Sequence, residues 1–185
     1  MISNSQSVEM LPLVDERGTV IGVATRAECH SPLKLLHPVV HLHVVNRRGD
    51  ILLQKRSMSK LIQPGRWDTA VGGHVDAGED IASALVRESG EELGFRSFVP
   101  EKVDQYLFES PVERELVYSF VTVVDADASA FDYSRDEIDE VKFFNHDEIM
   151  QNRDSMIFTP NFLLEYDRIS GKIAEVIKKY DCGNE

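Results

Sequence analysis

The sequence predicts an α/β sandwich on three observations. Short apolar runs separated by turn residues recur up to Val71 and again between 103 and 144, an amphipathic helix interrupts them near 80–93, and a longer helical stripe closes the chain. Residues 1–8 lack any apolar period and are expected to fray. Leu11–Val14 and Thr19–Val23 flank Asp15-Glu16-Arg17-Gly18 and read as a hairpin. Val39–Val45 and Ile51–Gln54 flank Asn46-Arg47-Arg48-Gly49-Asp50, a second hairpin with a stronger turn signal. Pro64-Gly65 marks a loop before a strand at Trp67–Val71. Ile81, Leu85 and Val86 then fall at helical spacing, and Gly94 supplies the stop. Strands return near 103–109, 115–124 and 140–144, forming a mixed sheet with the earlier ones. Asp147–Gln151 reads as a short helix, and Leu163, Tyr166, Ile169, Ile173, Val176 and Ile177 make a core-facing stripe on a helix over Phe162–Lys179.

A chain of 185 residues without repeats, low-complexity tracts or a linker is expected to form a single domain over 1–185 with a substantial core. The net charge of −12 argues against nucleic acid as a partner, which calls for a basic stripe. No run of 18 apolar residues predicts a membrane span. The first seven residues lack a basic, then apolar, secretory pattern, and the two cysteines are too few for a disulfide scaffold. Both points lead to a cytoplasmic expectation.

The helix near 80–93 carries the chemistry. Glu88, Glu91 and Glu92 stand at i, i+3 and i+4, on one helical face, where like charges repel by a few tenths of a kcal/mol per pair. A hard cation with oxygen ligands relieves that repulsion, and Mg²⁺ is the first candidate because it also bridges phosphate oxygens. Arg87 and Glu79 are placed to pair and orient the ligating face. The wider pattern is Gly73, five residues, Glu79, seven residues, Arg87-Glu88, two residues, Glu91-Glu92, one residue, Gly94.

That pattern resembles the catalytic box of the Nudix hydrolases, here residues 73–95, with Ser89 standing where the family has an apolar residue. The resemblance implies a Nudix-like α/β/α sandwich with the box as a loop–helix–loop. It implies Mg²⁺ (or Mn²⁺) held by Glu88, Glu91 and Glu92 with the Gly73 carbonyl, and catalysis by those glutamates with Arg87. The reaction implied is water attack on a phosphorus of a nucleoside diphosphate-linked or similar small molecule, and a homodimer is consistent with the family.

From about Leu13 to Tyr166 the chain is also similar to one branch of that superfamily, the type I isopentenyl-diphosphate isomerases. That similarity implies a second metal site at His30, His37, His74, Glu113 and Glu115, and a diphosphate-binding set of Arg26, Arg56 and Lys60. Two isomerase residues are missing. Gly72 stands where the catalytic cysteine precedes Gly-His, and Asn161 where a tryptophan follows Phe158-Thr159-Pro160. Glycine offers no thiol and asparagine no π face, so diphosphate hydrolysis is the expected activity. An isomerase-like enzyme and a non-catalytic nucleotide-diphosphate sensor are the alternatives. His41 and His43 alternate on a predicted strand and receive no role. Trp67, Phe108, Tyr118 and Phe158 are candidates for stacking a base or ring, each weighed against an ordinary place in the core.

Overall fold

A computed structural model describes residues 8–183. The expected fraying of residues 1–8 lies outside the described residues except for Val8, which has no regular structure. The first predicted hairpin forms as β1 (Met10–Val14) and β2 (Val20–Thr25), a two-stranded antiparallel sheet of its own. A short helix not anticipated above, α1 (Arg26–Cys29), follows directly. Its signal was present in the sequence. Thr25 and Glu28 form a capping box, each side chain bonding the other's backbone N–H.

The main sheet has seven strands: β3 (His37–Asn46), β4 (Ile51–Arg56), β5 (Trp67–Thr69), β6 (Val71–His74), β7 (Glu101–Glu109), β8 (Arg114–Val124) and β9 (Ile138–Phe144). β3 and β8 run parallel from His37↔Glu115 to Asn46↔Val124, while the remaining pairs are antiparallel. β3 and β4 pair only at Val45↔Ile51 and then splay apart. The segment 67–74 fills the fork: β5 pairs with β4, and after Ala70 β6 crosses to pair with β3. The single strand expected at Trp67–Val71 is therefore two, because one stretch of chain serves two diverging neighbours.

The helices cover both faces. α2 (Ile81–Leu93) starts at Asp80, whose side chain accepts from the Ser83 N–H. It ends at Gly94 in the left-handed region (φ 63°), where a Cβ would stand 2.9 Å from the Asp132 carbonyl oxygen. On the opposite face lie α3 (His146–Gln151) and α4 (Pro160–Gly183), the latter with proline in its first position and the Thr159 hydroxyl accepting from Phe162 N–H. Strand periodicity divides the core accordingly. Val40, Leu42 and Val44 of β3 pack with Ala84, Leu85 and Leu93 of α2. Val45 joins Phe162, Tyr166, Ile173 and Val176 of α4. β3 is thus buried on both faces, the condition that makes an α/β/α sandwich. Among the described residues no helix is long and apolar enough to cross a membrane. Cys29 and Cys182 are both free thiols, one buried and one exposed.

Candidate active site

The fork between β3 and β4 opens into a cavity of about 960 Å³, lined by residues from α2, β3, β4, β5, β6 and β8 and from the first turn of α4, among others. Its wall includes Glu88, Glu91 and Glu92, and the side-chain-free positions Gly72 and Gly73. Glu88 fills the space above Gly73, because a Cβ there would stand 2.0 Å from its carboxyl carbon. Any side chain at 73 would displace the Glu88 carboxylate from this position, and glycine leaves it room.

Arg87 organises the box. Its Nε and Nη2 donate to the two Glu79 oxygens at 3.0 and 2.8 Å, the bidentate geometry that best suits a guanidinium and a carboxylate. Nη2 also donates to the His74 carbonyl at 2.9 Å, and Nη1 to Glu88 Oε1 at 2.7 Å. The loop 74–79 and the helix are thereby locked together. The Glu79 bonds come first in pushing the Arg87 pKa up, so this cation is permanent. Glu92 accepts from the Gln54 amide at 2.8 Å and faces the Gly72 N–H at 3.4 Å. Burial, reinforced by the charge on Glu88, pushes the Glu92 carboxyl up to about 8. Burial also raises Glu88, against the pull of Arg87. Glu91 is exposed and lies 3.5 Å from Arg87. The departures inside the box are also explained. Ser89 is fully buried with no hydrogen-bond partner for its hydroxyl among the described residues, an apolar environment of the kind the family pattern leads one to expect. Gly90, costly in a helix by about 1 kcal/mol, is where the Arg96 guanidinium packs against the backbone.

The structure brings His30, His37 and His74 together, each with one ring nitrogen within 4.8 Å of the others. The Nε2 atoms of His30 and His74 face each other at 3.1 Å. His37 Nδ1 lies 2.8 Å from the Leu35 carbonyl, which fixes Nδ1 as the donor and leaves Nε2 as a bare lone pair. That Nε2 is buried and unpartnered. Burial lowers the pKa of all three rings, His74 to about 3, so they are neutral and ready to ligate. Glu113 lies outside this group of three, 3.5 Å from the outer nitrogen of His30, and Glu115 is buried in the cavity wall beyond it. Glu9, which sequence reasoning missed, stands 3.4 Å from the outer nitrogen of His74. It lies in a segment without pattern, so nothing local could mark it.

Arg26, Arg56 and Lys60 all line the cavity, and each is held by an acid: Glu9 at 2.9 Å, Asp68 at 3.2 Å and Glu137 at 3.1 Å respectively. Gly72 and Asn161 line it as well. None of the aromatic candidates Trp67, Phe108, Tyr118 and Phe158 does. Trp67 and Phe158 instead pack on Phe144.

A second feature missed above is the pair of alternating histidines. Their partner, Glu165 on α4, is completely buried. It accepts from His41 Nδ1 at 2.7 Å and lies 3.1 Å from His43 Nε2. Burial opposes charge on both partners, but their attraction overcomes it. His41 rises to about 9, and Glu165 falls well below the usual carboxylate range. No local signal exposes this pairing, since 124 residues separate His41 from Glu165.

Comparison with known proteins places this geometry. The NUDIX domain family matches residues 35–164. An uncharacterized Nudix hydrolase of Pseudomonas aeruginosa is 31% identical over 159 residues, covering 86% of this chain and 92% of that protein. An isopentenyl-diphosphate Delta-isomerase of Streptomyces avermitilis is 28% identical over 173 residues, covering 90% and 86%. Among solved structures, DR0079 from Deinococcus radiodurans superposes with a TM-score of 0.69 at 22% identity, covering 92% of this chain and 98% of that one, which shows the shared fold.

Proposed function

The chain belongs to the Nudix family, as a Nudix pyrophosphohydrolase, and on that premise we propose that it hydrolyses the diphosphate linkage of a nucleoside diphosphate-linked or similar small molecule with the help of a divalent cation. The observation that carries this reading is the Arg87 clamp, which turns Glu88 into the cavity over Gly73 beside Glu92.

The donors suit Mg²⁺ or Mn²⁺. Glu88, Glu91 and Glu92 with the Gly73 carbonyl would supply hard oxygens, and the raised pKa values of Glu88 and Glu92 show carboxylates that gain from a nearby cation. When bound, that cation neutralises diphosphate charge and lowers the pKa of its water. Arg26, Arg56 and Lys60, each held by its acidic partner, would turn their remaining N–H donors to phosphate oxygens, which orients the diphosphate across the cavity. Water attacks one phosphorus, the anhydride P–O bond breaks toward the other phosphate, and a carboxylate of the box takes the proton. The three neutral histidines would hold a second, borderline metal such as Zn²⁺, with Glu113 and Glu115 beside them.

Isomerase chemistry is disfavoured by position as well as by residue type. Gly72 and Asn161 stand in the cavity wall where a thiol and an indole are needed. The test is product analysis by mass spectrometry over a panel of diphosphate compounds with Mg²⁺ or Mn²⁺. Glu92→Gln should lower turnover by at least about a hundredfold, above the 10- to 100-fold typical of residues that only orient a ligand. Unchanged turnover in that variant would overturn the proposal. Solvent deuterium appearing at allylic carbons of isopentenyl diphosphate would favour the isomerase instead.

A further inference from the structure

The Nudix box accounts for the carboxylates of the cavity but leaves the His41–Glu165 pair unused. Glu165 is fully enclosed, and an enclosed carboxylate is tolerated only where partners satisfy it. His41 is different, because its side chain keeps 16% of its surface and lines the cavity. Its Nδ1 is committed to Glu165. Its Nε2 has no hydrogen-bond partner among the described residues, yet it is not one of the sealed, unsatisfied atoms. The free edge of the ring points to Gly72. A Cβ added there would lie 3.3 Å from Cδ2 and 3.4 Å from Nε2, tighter than ordinary contact. The N–H of Gly72 in turn faces Glu92. His41 is therefore one strand away from the box carboxylates, on the other face of the same cavity, and the missing side chain at 72 keeps its Nε2 open.

We propose that His41 is a substrate-contacting residue: its Nε2–H donates to a phosphate oxygen of the diphosphate bound in this cavity, and Glu165 holds the ring in the orientation and doubly protonated form that make it a donor. This rests on the diphosphate reading of the cavity given above. Three features support an anionic acceptor. The nitrogen is a donor, because the enclosed Glu165 carboxylate holds the ring charged, and both nitrogens of a charged imidazole carry protons. The cavity's other cations, Arg26, Arg56, Lys60 and Arg87, each already face an acid, as His41 does, so a phosphate meets donors pre-aimed by carboxylates. Finally, His41 has a built-in control in His43, which touches the same Glu165 but is fully buried and does not line the cavity.

The test uses the full chain, Mg²⁺ and methylenediphosphonate, a diphosphate core that water cannot split. Calorimetry should show binding to the wild type, weakened about tenfold in His41→Asn, the share expected of one charge-assisted hydrogen bond. His43→Asn should bind like the wild type, which a merely structural role for the trio would not allow. A measurement on the unmutated protein covers the chance that a variant misfolds: the ¹⁵N resonance of His41 Nε2 should move on saturation with methylenediphosphonate. If that resonance stays fixed while the ligand binds, or if His41→Asn folds and binds at full affinity, His41 has no such contact and only this inference falls. If the wild type does not bind methylenediphosphonate, the diphosphate reading of the cavity falls with it.

Discussion

His37 and His41 stand four residues apart on the same strand, on the same face, and end in opposite protonation states. His37 is packed among His30 and His74, and burial leaves all three rings neutral. His41 is largely enclosed, with one edge open to the cavity, but it meets Glu165, and the carboxylate holds it charged. Burial alone discourages an imidazolium in either place; the neighbour decides whether charge is retained. One strand therefore presents a lone pair to the histidine cluster and an N–H to the cavity beside it.

The largest expected effect breaks the charged half of this comparison. Glu165→Leu removes the carboxylate that touches both His41 and His43 and should cost about 3–5 kcal/mol in urea unfolding, the range for breaking a buried ion pair. Glu113→Gln, on the neutral half, removes a partly exposed neighbour of a neutral ring and should cost under about 1 kcal/mol. A larger loss from Glu113 than from Glu165 would invert the comparison.

Next in size is metal linkage. Zn²⁺ at a hundred times its dissociation constant should stabilise the wild type by about 2.7 kcal/mol. The gain should disappear in His37→Gln and survive in His41→Asn. Equal loss in both variants would mean that the two halves are one site.

A third effect is in the pH dependence of the metal-free protein. His41 has a raised folded pKa, so its contribution is complete below pH 6.5 and is lost as pH rises through about 9. Glu165 has a lowered one, so its contribution is complete above the ordinary carboxylate value of 4.5 and is lost as pH falls toward its folded value. His74 is lowered to about 3, so folding increasingly disfavours its protonation as pH falls below 6.5. Comparing urea midpoints from pH 5 to 9, His41→Asn should flatten the alkaline limb and His74→Gln the acid limb. A flat difference curve for either variant would show that its ring does not titrate differently on folding.

Much of this protein was legible without coordinates. The turn chemistry at Asp15–Gly18 and Asn46–Asp50, the 3.6-residue period before Gly94 and the period-2 runs placed most elements within a few residues, since each depends on local backbone preference. The box spacing was readable for the same reason: a helix turns i, i+3 and i+4 onto one face regardless of what it packs against. The Arg87–Glu79 pair followed from a short loop. What the sequence hid depended on diverging or distant partners. The strand expected at Trp67–Val71 splits because β3 and β4 splay, and no local preference encodes that fork. His41 and His43 read as two polar residues on a strand until α4 brought Glu165 against them across 124 positions. Sequence alone thus determined which carboxylates share a face of the glutamate helix, because that geometry is local. Only the tertiary structure decided which histidines are neutral and which is charged, because the electrostatic free energy of a buried ring is set by neighbours that the fold supplies.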